Sequence, residues 1–87
     1  MAEETLIEFP CDFPVKVMGA ARADFAQAVA GVVLRHAPDF DPARMEMRPS
    51  KAGNWLSLTC TVRAVSKAQL DALYRDLTGH PWVKIVL

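Results

Sequence analysis

Leu56-Ser57-Leu58-Thr59-Cys60-Thr61-Val62-Arg63-Ala64 alternates apolar and polar residues without a break. Successive side chains of an extended chain point to opposite sides. Leu56, Leu58, Cys60, Val62 and Ala64 therefore make one apolar face, and Ser57, Thr59, Thr61 and Arg63 the other. So regular a strand belongs in a sheet with one side buried and one side open. Before it, Ser50-Lys51-Ala52-Gly53-Asn54 is a glycine-bearing hairpin connection. Earlier still, Ala43, Met45 and Met47 alternate with Arg44, Glu46 and Arg48 in a second strand over 43–49, ended by Pro49, which suits a sheet edge. After it, Ser66 and Gln69 make a capping pair that opens a helix with the stripe Leu70, Leu73, Tyr74 and Leu77. Gly79 closes that helix, Pro81 prevents its resumption, and a last strand fills 82–87.

The first half of the chain repeats the plan. Phe13, Val15 and Val17 share one face of a strand over 13–18, with Lys16 and Met18 on the other. Gly19 ends that strand in a turn, and a helix over 22–36 follows. Its stripe is Phe25, Val29, Val32, Val33 and His36. Asp24 near the start, and Arg35 and His36 at the end, suit the helix dipole. Pro38 stops the helix, and Phe40 is the one large apolar anchor in the loop that follows.

Two helices with one apolar stripe each can be buried on a single side of a four-stranded sheet. The order strand, helix, strand, strand, helix, strand is the ferredoxin-like βαββαβ sandwich of the α+β class. It has an antiparallel sheet, strands one and three central, and both helices on one face. Residues 13–87 form this single domain, and residues 1–12 form an N-terminal arm.

At 87 residues, one small domain is all the chain can build. No apolar run approaches the ~20 residues needed to cross a bilayer. The start, Met1-Ala2-Glu3-Glu4-Thr5, lacks the basic and apolar parts of a signal peptide, so the expected compartment is the cytoplasm and Cys11 and Cys60 are expected as free thiols. Net charge is zero, but Glu3, Glu4 and Glu8 precede the folded part, leaving ten basic against seven acidic residues in the remainder. That excess is too small to argue for nucleic acid.

Phe13-Pro14-Val15-Lys16-Val17-Met18-Gly19, Arg35-His36-Ala37-Pro38, Arg48-Pro49-Ser50 with Gly53, Ser57-Leu58-Thr59, Leu73-Tyr74 and Val86-Leu87 together resemble the YbeD-like family of small bacterial proteins. The likeness runs from about residue 8 to the last residue. It implies a ferredoxin-like domain similar to the ACT regulatory domains, which bind small effectors such as amino acids. The family brings no established activity and no functional residues to carry over. Its association with lipoate-synthesis genes suggests a regulatory or accessory role. ACT domains usually place Pro with Gly at the first strand–helix turn, whereas Met18-Gly19-Ala20-Ala21 keeps only the glycine.

Two regions are candidates for binding. The turn Gly19-Ala20-Ala21-Arg22 leads into a helix N-terminus, whose free N–H groups favour anions, with Arg22 adding charge. The second is the open side of the sheet. Alternation sends Lys16, Arg44, Arg48, Ser57, Thr59, Thr61, Arg63 and Lys84 away from the helices, with Glu46 as the one acid among them. Met18, Trp55, Trp82 and Val86 are candidates for an apolar rim. RNA-recognition sheets stack bases on central-strand aromatics, and here Ser57, Thr59 and Thr61 occupy those places, which disfavours nucleic acid.

Catalysis has no constellation to rest on. His36 lies on a packed helix stripe and His80 in a turn. Cys11, Cys60, His36 and His80 lack paired ligand spacing for zinc. No glycine-rich phosphate loop occurs, and no set of nucleophile, base and oxyanion donors can be assembled. The expected role is therefore a non-catalytic regulatory or interaction module without a cofactor. It would bind a protein partner or a small anionic metabolite through Lys16, Gly19, Arg22, Arg44, Arg48, Thr59 and Arg63, with a homodimer left open. The alternative is an ACT-like sensor of an amino acid or carboxylate.

Overall fold

A computed structural model describes residues 8–87, so Glu3 and Glu4 and most of the N-terminal arm lie outside the described residues. The elements are strand β1 (Cys11–Ala20), helix α1 (Phe25–His36), strand β2 (Glu46–Pro49), strand β3 (Trp55–Ala64), helix α2 (Lys67–Thr78) and strand β4 (Val83–Val86). The sheet runs β2-β3-β1-β4 with every pair antiparallel. This is the ferredoxin-like βαββαβ arrangement with β1 and β3 central, as the alternation predicts.

Both helices bury their stripes against the same side of the sheet. Val15 and Val17 of β1 and Leu58, Cys60, Val62 and Ala64 of β3 meet Phe25, Val29, Val32 and Val33 of α1 and Leu70, Leu73 and Leu77 of α2. Phe40 anchors the loop after α1 into this core, and no polar side chain is buried among the described residues. Burial of this apolar surface is the main favourable term, at about 1.5–3 kcal/mol for each fully buried large side chain.

The capping logic of α2 holds and extends. Ser66 Oγ accepts from the Gln69 N–H at 3.0 Å. Gln69 Oε1 in turn accepts from the Val65 N–H at 2.7 Å, and its Nε2 donates to the His36 carbonyl at 2.8 Å. One side chain thus starts α2 and fastens it to the end of α1. At the other end of α2, the Tyr74 hydroxyl donates to the Leu87 carbonyl at 3.0 Å.

Four differences from the expectation bear on the site, each with a physical reason. β1 begins at Cys11 and runs through Gly19 to Ala20, because β3 is long enough to pair with it throughout, Cys11 opposite Ala64 and Ala20 opposite Trp55. Pro14 is tolerated inside this central strand. Lys16 exchanges backbone hydrogen bonds with Leu87, so the nitrogen of Pro14 faces the same side beyond Leu87, where no described residue needs a donor. α1 begins only at Phe25, since residues 22–24 form a turn and Asp24, in the N-cap position, makes no side-chain cap bond. Ala43 and Arg44 lie in a short 3₁₀ turn, Pro42–Arg44, capped by Asp41 Oδ1 accepting from the Ala43 N–H at 3.0 Å. Arg44 is therefore not a strand residue.

The fourth difference is a β-bulge. Gly19 pairs with Val83, but Met18 pairs with Ile85, which leaves Lys84 as the extra residue in β4. The bulge moves the alternation by one. Val86 stands opposite Val17 on the helix side and packs against the core with Val83 and Trp82, while Ile85 takes the open-side position that simple alternation assigns to its neighbours.

Candidate functional site

The pairing register lays out the open face as rows across the sheet. Arg48, Ser57, Met18 and Ile85 form one row, and Glu46, Thr59 and Lys16 the next, with Leu87 bonded to Lys16 at its end. Further along lie Thr61 beside Pro14, then Arg63 beside Asp12. At the opposite end Trp55 stands next to Ala20. Trp55 is held there by the hairpin. Gly53 adopts φ +81, the left-handed conformation that suits glycine, and Ser50 takes the Trp55 N–H on its Oγ at 3.1 Å. The Ser50 N–H donates to the Trp55 carbonyl at 2.8 Å.

This face has two unlike ends. Around Trp55 a shallow groove is lined by Lys16, Met18, Arg48, Ser50, Trp55 and Ser57, with no acid. Lys16 and Arg48 make no ion pair among the described residues. Trp55 is 42% exposed, Ile85 46% and Leu87 69%, so three large apolar side chains border the two free cations. The other end is acid-rich: Asp12, Asp39, Asp41 and Glu46 surround Arg44 and Arg63. Arg63 Nη1 donates to Asp12 Oδ1 at 3.2 Å.

The expected site residues therefore separate. Lys16, Arg48 and Thr59 come together on the open face. Arg63 is on that face too but is matched by Asp12, so Glu46 is not its only acid. Arg44 sits at the acid-rich end, off the strand. Arg22 lies over the Trp82 ring, 3.7 Å from guanidinium carbon to ring centre, with its Nε 3.4 Å from Asp24. Gly19 points the other way altogether. It is buried on the helix side, and an added Cβ would strike the Trp82 carbonyl oxygen and lie 2.5–2.7 Å from the Phe25 ring. Gly19 serves packing within the strand, and the space expected to cradle a ligand is filled by the protein itself.

Asp12, Ile85 and Leu87 join the face without having been picked out from the sequence. The alternation Cys11, Phe13, Val15, Val17 carries the signal for Asp12 once the strand is extended backwards. The bulge at Lys84 leaves no comparable mark. Of the expected rim, Met18 and Trp55 belong to the face, whereas Trp82 and Val86 belong to the core side.

The remaining titratable groups have structural work. His36 Nε2 lies 2.7 Å from Asp76 Oδ2, joining α1 to α2. The hydrogen bond from His36 is the main cause that holds the Asp76 carboxyl below the usual carboxylate range; desolvation opposes it, and the charges of His36, Arg35 and Arg75 add to it. His80 Nδ1 accepts from the Trp82 N–H at 3.1 Å. Cys11 and Cys60 are free thiols. Cys60 pairs with Val15, four residues along β1 from Cys11, so about 13 Å separates them, too far for a disulfide. Burial pushes the Cys60 thiol up to about 11. No group of three or more metal-ligating side chains occurs among the described residues. No helix among them is long and apolar enough to cross a membrane.

Fold and face together define a small ferredoxin-like protein with an uncovered, polar sheet surface. The chain belongs to the family described as "Protein of unknown function (DUF493)", whose model matches residues 4–87, in agreement with the YbeD-like resemblance. It is similar to a UPF0250 protein of Bordetella pertussis, at 64% identity over 85 residues covering 98% of this chain and 93% of the relative. A UPF0250 protein of Ralstonia nicotianae is 58% identical over 84 residues, covering 97% of this chain and 87% of the relative. One of Nitrosomonas europaea is 52% identical over 87 residues, covering the whole of both chains.

Proposed function

We propose that this protein is a non-catalytic interaction module of the cytoplasm, and that its open sheet face is the docking surface for a protein partner or a small anionic metabolite. The observation that carries this reading is the pairing of two free cations, Lys16 and Arg48, with the exposed ring of Trp55 on a surface lined by Ser57 and Thr59. A carboxylate set between Lys16 and Arg48 would receive charge-assisted hydrogen bonds, about twice as strong as neutral ones. Trp55 would supply the kind of large, rigid contact that dominates interfaces. The matched ion pair Arg63–Asp12 contributes little, because an exposed pair is worth ~0–1 kcal/mol and must open before Arg63 can bind anything else. The test is capture from native cytoplasm with wild type and with the double variant Lys16→Ser, Arg48→Ser. Both positions are exposed, so the fold survives and the captured partner is lost. Equal capture by the two proteins would refute the reading.

A second reading is an ACT-like sensor of a small amino acid or carboxylate, with lipoate metabolism as the setting suggested by the family resemblance. The groove between Lys16, Arg48, Ser50, Ser57 and Trp55 supports it. Any ligand that binds only the native state raises the melting temperature, by about 2.7 kcal/mol of stability at a hundred times its dissociation constant. Amino acids and lipoate at millimolar concentration that leave the melting temperature unchanged would argue against a sensor.

A further inference from the structure

The open face is self-complementary. We propose that its partner is a second copy of this chain, stacked sheet against sheet about a two-fold axis that runs along β3. The proposal rests on reading this face as the docking surface.

β3 lies inside the sheet with β2 on one side and β1 on the other, so a two-fold axis along β3 places the β1 of one copy over the β2 of its partner. The register then decides which side chains meet. Lys16 and Glu46 are both paired with Thr59, one from each side. The axis sets Lys16 of each copy over Glu46 of the other, giving two reciprocal ion pairs nearest the centre. Met18 and Arg48 flank Ser57 in the same way, so each thioether lies under the aliphatic stem of an arginine. At one end, the two Trp55 rings approach each other across the axis.

Between Trp55 and Arg63 the residues on the axis are small. Ser57, Thr59 and Thr61 line the open side of β3, which permits the spacing of about 10 Å at which sheets stack. Arg63 also lies near the axis, and its bond to Asp12 draws each guanidinium aside. A two-fold axis across the strands through the Thr59 row gives the opposite result, setting Lys16 on Lys16 and Glu46 on Glu46. Charge therefore favours the axis along β3 over that one. β4 lies outside the partner's β2, so three strands overlap; at about 4.8 Å per strand and six residues at about 3.3 Å the footprint is roughly 14 by 20 Å per copy. That is the small class of interface, so the dimer is weak and depends on concentration.

The experiment is sedimentation equilibrium over a wide concentration range at low salt, on wild type, Lys16→Glu, Glu46→Lys and the double variant carrying both. Within one chain, Lys16 and Glu46 stand about 10 Å apart across Thr59 and make no ion pair with each other, so a dimer recovered by exchanging their charges reports contacts between copies. Wild type should move from monomer to dimer with concentration, less so at high salt. Each single reversal turns two reciprocal pairs repulsive and should raise the dissociation constant at least about tenfold, while the double variant returns to within about threefold of wild type. A wild type that stays monomeric, a dimer indifferent to both reversals, or a double variant as weak as the singles would overturn the proposal. If wild type is monomeric yet the Lys16→Ser, Arg48→Ser variant loses a captured partner, the docking face stands and only its self-association falls. If capture is also unchanged, both fall together.

Discussion

Gly19→Ala tests how tightly the sheet is packed where β1, β4 and α1 converge. Gly53 is the glycine with positive φ among the described residues, so Gly19 has a backbone that alanine can also adopt. With free space beside it, the substitution would stabilise the protein by about 0.4–1 kcal/mol, by restricting the unfolded chain. Space is what Gly19 lacks. The new methyl group would meet the Trp82 carbonyl oxygen and the Phe25 ring, and Phe25, at the start of α1, is wholly buried. Overpacking of this kind costs about 1–3 kcal/mol, and a backbone atom in the way places the cost at the upper end. At about 4–8 °C per kcal/mol for a domain of this size, a loss of about 2–3 kcal/mol lowers the melting temperature by roughly 8–24 °C. Gly31 is the internal control. It lies in α1 with nothing within 4 Å of an added Cβ, so Gly31→Ala should stabilise by about 0.8–1 kcal/mol. Thermal and urea unfolding followed by circular dichroism measures both. The reasoning fails if Gly19→Ala matches or exceeds wild type, or if the two substitutions move stability in the same direction.

Ser66→Ala removes the side-chain cap of α2 and should cost about 1 kcal/mol in urea unfolding, a loss that Ser66→Asp largely avoids. Asp76→Asn should reveal a pH dependence with a defined sign. The folded state lowers the Asp76 carboxyl from its ordinary 3.8, so its contribution is complete above that value and is lost as pH falls through the lower folded one. The stability gap between wild type and Asp76→Asn should therefore be constant near neutrality and shrink in acid; a gap that widens below pH ~4 would contradict the His36–Asp76 link. Cys60, with its thiol pushed up to about 11, is roughly one part in a thousand thiolate at pH ~8. Thiol titration should find Cys60 inert until the protein is unfolded, and rapid native labelling at Cys60 would be inconsistent with its buried place.

The fold was legible because the period of the pattern changes cleanly between elements. The unbroken alternation of β3 and the stripes of α1 and α2 each point to a single buried side, and Ser66 with Gln69 marks a helix start by a mechanism that the hydrogen bonds reproduce. What the sequence hid was pairing. A bulge is a property of two strands together, so nothing within Trp82-Val83-Lys84-Ile85-Val86 shows that Lys84 is the extra residue, and the face of Ile85 and Val86 follows from it. The length of β1 is likewise set by its neighbour β3. Asp12 consequently joined the open face and paired with Arg63, while Lys16 and Arg48 of that face make no ion pair among the described residues. Gly19 misled for a different reason. A glycine before a helix resembles a turn residue, while its need here comes from Trp82, distant in sequence and brought beside it by the crossover.

The most direct test of the account is a photo-crosslinking side chain placed at Thr59, at the centre of the open face, and compared with one at Gln27 on the outer side of α1. Irradiated in native cell extract, the Thr59 probe should give a discrete adduct, at twice the chain mass if the partner is a second copy, and the Gln27 probe should give none. Adducts formed from Gln27 alone, or equally from both positions, would contradict the claim that this protein works through the open side of its sheet.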